Sequence, residues 1–140
     1  MTSTASGRFP HTSRLEANLP ASTILQTTVA PLGEAQETGV VTGATYAAVA
    51  NITGAASPAS RTISIINKGQ DGNGAVVIAT LALLGGVNPL DFDEMAFTLS
   101  VTPADLVVAV GDIIVASSAP VGGTGLVDPG GRIQVSINRN

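Results

Sequence analysis

The chain has 140 residues, enough for one domain with its own core. It is 44% hydrophobic but only 3% aromatic and 11% charged, with a net charge of −4, no cysteine and no tryptophan. This composition excludes disulfides, thiolate chemistry and cysteine-based zinc sites, and with Lys68 as the one lysine it leaves no basic cluster for direct nucleic-acid binding.

Residues Met1–Thr23 are rich in Ser and Thr, contain Pro10 and Pro20, and carry a net +1, whereas the following 117 residues carry −5. Such a segment lacks the apolar surface to fold alone. It reads as an extended N-terminal arm on a domain spanning 24–140. Two readings of the arm are open: a frayed terminus, or a strap laid across a neighbouring subunit. The second makes Arg8, Phe9, Arg14, Leu15 and Leu19 the candidate contacts with a neighbouring subunit. The stretch Met1–Leu19 has no apolar core of the secretory-leader kind.

From Ile24 onward the pattern is that of β-structure. Ile24–Leu32 is a first strand, broken by Pro31, and Gly33–Thr38 is an acidic turn. Val40-Val41 and Ala44–Ile52 follow, with Tyr46 as the only aromatic residue there. Arg61–Asn67 alternates and sets Ile63 and Ile65 on one face. Lys68–Gly74 (Lys-Gly-Gln-Asp-Gly-Asn-Gly) has the composition of a tight hairpin turn. Ala75–Leu84 is by composition the most buried strand; interrupted by Thr80, it falls short of the ~18 apolar residues of a membrane span. An acidic loop leads to a strand over Met95–Val101, ended by Pro103, and then to strands over Asp105–Val110 and Ile113–Ser117. Gly122–Gly131 is a long crossover loop, and Arg132–Ile137 places Ile133, Val135 and Ile137 on one face. Eight or nine short strands with turns between them predict an all-β fold: an antiparallel β-sandwich, jelly-roll-like, carrying the arm.

Catalytic and ligand constellations are sparse. His11, the single histidine, lies in the arm, where a catalytic base would be poorly held. Asp91-Phe92-Asp93-Glu94 offers carboxylates for a hard cation but lacks the spaced ligand set of a calcium loop. The expectation is a solvated loop with Phe92 tucked beneath it. Asp71-Gly72-Asn73-Gly74 is explained by the hairpin, and the glycines of 122–131 run into a strand, whereas phosphate loops run into a helix. No catalytic, cofactor-binding or metal-binding residue is assigned, and the chain is not expected to be an enzyme. Low surface charge favours self-association or a permanent partner.

Val110-Gly111-Asp112-Ile113-Ile114, the segment Val121-Gly122-Gly123-Thr124-Gly125-Leu126-Val127-Asp128-Pro129-Gly130-Gly131 with its closing strand, and Ala79-Thr80-Leu81-Ala82-Leu83 with the Gly86-Val87-Asn88-Pro89 loop resemble the decoration (cement) proteins of tailed-bacteriophage heads. The resemblance covers residues 60–137 and excludes the arm. It implies a β-sandwich or jelly-roll-like structural subunit on the exterior of a virion capsid, made in the host cytoplasm. Its partners would be the major capsid protein and itself, as dimer or trimer, with no cofactor, no nucleic acid and no membrane. The alternatives are another structural virion subunit (tail-tube, tail-fibre or head-fibre) or, with few aromatics for a binding platform, a carbohydrate-binding β module.

Overall fold

Period-2 alternation of apolar and polar residues governs the long strands, and it sorts them into two sheets facing one core. The computed structural model describes residues 12–23, 25–52, 60–83, 89–121 and 126–139. The strands among these are β1 (Thr12–Leu19), β2 (Thr28–Glu34), β3 (Gly39–Ala48), β4 (Ser60–Asn67), β5 (Val76–Leu83), β6 (Glu94–Ala96), β7 (Thr98–Leu99), β8 (Val107–Val108), β9 (Ile113–Val121) and β10 (Gly131–Arg139). One five-stranded sheet runs β1-β10-β3-β6, with β8 also pairing β3, and the other runs β2-β9-β4-β5-β7. All pairings are antiparallel. The protein is thus an all-β sandwich, as its sequence predicts.

The first sheet contributes Val41, Tyr46, Ile133, Val135 and Ile137 to the core, and the second contributes Ile63, Ile65, Ile78, Leu83 and Ile114. β-Branched side chains fill pleated, half-buried surfaces well, which is how a chain with so few rings builds its interior. The gap between Val41 and Ala44 is not a break between strands. It is a bulge inside β3, where the pairing steps from Ile137↔Val41 to Ser136↔Gly43, and Thr42 is the extra residue. The bulge lets Val41 and Ala44 both face inward despite their odd spacing.

Several expectations are corrected. Pro31 lies within β2, not at its end; β2 is an edge strand, where a missing N–H costs no ladder bond. β5 is not the most buried strand: Val76 and Val77 are exposed, because only the two-residue β7 covers its far side. The strand expected over Met95–Val101 is two short pieces in different sheets, with the buried Phe97 at the step between them. Most of Asp105–Val110 is not extended: Pro103–Leu106 forms a 3-10 turn with proline in its first turn, leaving only β8 as strand. The arm does not run to residue 23. Thr12–Leu19 is β1, paired residue for residue with β10 from Thr12↔Asn138 to Leu19↔Gly131. Its inward positions Ser13, Leu15, Ala17 and Leu19 alternate with outward Thr12, Arg14, Glu16 and Asn18. Two of those inward residues are small and one is polar, so the stripe is faint in sequence.

Candidate functional site

The end of the sandwich where β3 passes into its following loop is organised by a buried polar cluster. Arg61 on β4, Tyr46 on β3, Ser118 on β9 and Asp128 in the β9–β10 loop are all fully buried. The Tyr46 hydroxyl donates to Asp128 Oδ1 at 2.6 Å, the Ser118 hydroxyl donates to Asp128 Oδ2 at 2.9 Å, and the Gly130 N–H donates to Oδ1 at 2.9 Å. Arg61 donates through Nη1 to Ser118 Oγ at 3.1 Å, so one hydroxyl relays between guanidinium and carboxylate. Three further bonds reach backbone carbonyls: Nε to Leu126 at 2.7 Å, Nη1 to Gln26 at 2.9 Å and Nη2 to Thr23 at 2.9 Å.

A guanidinium suits this role because its donors fan out in a rigid plane. It joins the β1–β2 connection to the loop that precedes β10. Asp128 fastens the same two segments: its carbonyl accepts from Ser22 N–H at 2.8 Å and its N–H donates to Ser22 Oγ at 3.3 Å. Burial pushes the Tyr46 hydroxyl far above its ordinary value of 10.0, and the neighbouring Asp128 adds to the shift while Arg61 opposes it. Burial lowers Arg61, with Asp128 and Tyr46 acting against that. Each polar group is committed to another, so the arrangement is a structural lock across the two sheets. The Ser118 hydroxyl is held between the Asp128 carboxylate, to which it donates, and the Arg61 guanidinium, from which it accepts.

The lock sets up what is displayed beyond it. Gly130, bonded to Asp128, accepts from the Val49 N–H at 2.9 Å. A Cβ on Gly131 would run into the Ala47 carbonyl and the Tyr46 ring, so only glycine lets β10 approach β3 there. The loop after β3 is then tied to the loop before β6: Phe92 N–H donates to Ala48 O at 2.8 Å, Ile52 N–H to Pro89 O at 3.0 Å and Asp91 N–H to Asn51 Oδ1 at 2.7 Å. These joined loops carry Val49, Leu90 and Phe92, which are 54%, 58% and 69% exposed. Phe92 has φ +62°, the one left-handed non-glycine residue among the described residues. It does not tuck under its loop; strained backbone holds an aromatic ring out in solvent.

The residues singled out from sequence are dispersed. Arg8, Phe9 and His11 lie outside the described residues. Arg14 is exposed on the outer face of β1, Leu15 is half-buried against the core and Leu19 is buried in it. Asp91 and Asp93 are exposed, and Asp93 accepts from the Leu90 N–H at 3.3 Å. Asp71 accepts from the Asn73 N–H, which holds its carboxyl below the ordinary range. Among the described residues, no three His, Asp or Glu side chains are grouped to hold a metal, and no helix is long and apolar enough to cross a membrane. The lock was missed, although parity carried half of it. Arg61 lies two and four residues before Ile63 and Ile65, which puts an arginine on the core face.

Compared with known proteins, the chain matches no family model, no curated protein and no solved structure.

Proposed function

We propose that this chain is a structural virion protein that binds the outer surface of a tailed-phage capsid and reinforces the shell, acting by contact. The observation that carries the reading is the tip: Val49, Leu90 and Phe92 presented together on two cross-bonded loops, with Phe92 held at an unfavourable φ. Strain kept at an exposed aromatic serves presentation better than stability, and clustered exposed apolar residues mark surfaces that meet a partner. The resemblance over residues 60–137 supports the same reading. The partner is the major capsid protein, and many modest contacts repeated over one shell add up through avidity. Residues 1–11, with Arg8 and Phe9, supply a second contact along a neighbouring subunit.

The test is addition of purified protein to empty capsids of the cognate phage, imaged by cryo-electron microscopy. Saturable density at symmetric positions, with Val49, Leu90 and Phe92 facing the shell, is the expected result. Bare capsids at saturating protein would defeat the reading. Long polymers formed by the protein alone would shift it to a tail-tube or fibre subunit.

A further inference from the structure

Five strands terminate the two sheets, and four are protected against pairing. β2 contains Pro31 and a bulge between Pro31 and Gly33, while β6 has three residues and β7 and β8 have two each. β1 is different. It has eight residues, no proline and no register shift against β10, and no described strand pairs with its other edge. Such an edge is a template for another strand, and its side chains decide which one.

Charge on an edge normally repels an incoming strand unless the newcomer brings the opposite sign. β1 brings both signs in a self-complementary order, Arg14-Leu15-Glu16. In an antiparallel pair of identical strands in which core faces match core faces, residue numbers across the pair sum to an even value. Centring on Leu15 sets Arg14 opposite Glu16 of the other copy, twice, and Leu15 opposite Leu15. It also pairs Ser13 with Ala17 and Thr12 with Asn18. The next register one way sets Arg14 against Arg14, and the next the other way sets Glu16 against Glu16, with like charges directly opposed. Among the described residues the ion pairs are Glu16–Arg132 and Glu37–Arg139, and Arg14 takes part in neither. In the centred register Glu16 sits between Arg132 of its own chain and Arg14 of the other copy.

We propose that β1 is a self-recognition edge: two copies pair β1 to β1 antiparallel about a two-fold axis at Leu15, joining their sheets into one continuous sheet across the dimer. The interface is isologous and closed, so it yields a dimer and not a filament. The contact is independent of capsid binding, and its tests use no capsids.

Sedimentation of the full chain is expected to show a monomer–dimer equilibrium that weakens as salt rises. Arg14→Glu should raise the dissociation constant at least about ten-fold, and Arg14→Glu combined with Glu16→Arg should restore the dimer. The chain lacks cysteine, so single cysteines report register cleanly. Directly opposed residues lie about 4.5–5.5 Å apart at Cα, within disulfide reach. Oxidised Leu15→Cys should therefore cross-link into a covalent dimer, and Ser13→Cys should not. A monomer at every concentration, a dimer indifferent to Arg14→Glu, or equal cross-linking of the two cysteine variants would overturn the proposal. Should Leu15→Cys fail to fold, the exposed Arg14 and Glu16 exchange decides alone.

Discussion

Arg61 sits in the core with four of its hydrogen bonds going to Leu126, Gln26, Thr23 and Ser118. Removing its charge and donors leaves three carbonyls without this partner and the buried Asp128 carboxylate without its neighbouring positive charge. Arg61→Leu is expected to cost about 3–5 kcal/mol, read as a fall in the urea midpoint. Arg61→Lys should recover little, because one ammonium cannot span acceptors spread over two loops. Tyr46 makes a second prediction. Its pKa in the fold is raised, so the fold favours the neutral phenol. The stability this provides is fully present below the unfolded value near 10, and falls by about 1.4 kcal/mol per pH unit as pH rises above it. The chain has one tyrosine and no tryptophan, so phenolate absorbance in an alkaline titration should appear together with loss of β-sheet circular dichroism. Phenolate appearing near pH 10 in a folded protein would contradict the buried bond to Asp128. The parity of Arg61 with Ile63 and Ile65 was legible in the sequence, and so was Tyr46 as an isolated ring. Asp128 as their partner was not, because it lies 67 residues beyond Arg61 in a glycine-rich loop whose course depends on the finished sandwich.

At the scale of elements, long strands with clean alternation, such as β4 and β10, were readable residue by residue. Those whose character depends on neighbours were not. β1 shows why: Ser13 and Ala17 give a weak stripe, and the strand exists because β10 offers it a ladder. The step at Phe97 is likewise invisible in the sequence, since a strand that changes sheets keeps an extended backbone throughout. This relocates the boundary of any removable N-terminal segment. A chain lacking residues 1–11 should keep its thermal midpoint within a few degrees. A chain lacking 1–23 loses β1, the burial of Leu19 at about 2 kcal/mol, and Ser22 and Thr23, which bond Asp128 and Arg61. Against a typical net stability of about 5–15 kcal/mol, that chain is expected to be unfolded or aggregated, checked by circular dichroism and size-exclusion chromatography. A folded 24–140 fragment would mean that β1 is dispensable.

At the scale of the whole molecule, the lock at one end of the sandwich and the exposed tip beyond it form one device: buried polar bonds hold Gly130, Gly130 holds Val49, and Ala48 holds Phe92. A device for presentation should trade stability for contact, and Phe92→Gly measures that trade. Glycine accepts positive φ freely, and an L-residue there costs roughly 1–2 kcal/mol, partly offset by the greater chain entropy glycine loses on folding. The ring is 69% exposed, so little packing is lost with it. Phe92→Gly is therefore expected to stabilise the isolated protein by up to about 1 kcal/mol in denaturant unfolding, while the capsid contact proposed above requires it to lower occupancy on capsids at least about ten-fold for the loss of an aromatic anchor. The two readouts separate the explanations. A destabilised variant would mean the ring packs in solution and its backbone strain is repaid within the fold. A stabilised variant with unchanged occupancy would move the proposed capsid contact away from the tip. Only higher stability with weaker attachment fits a residue held in strain for the sake of what it touches.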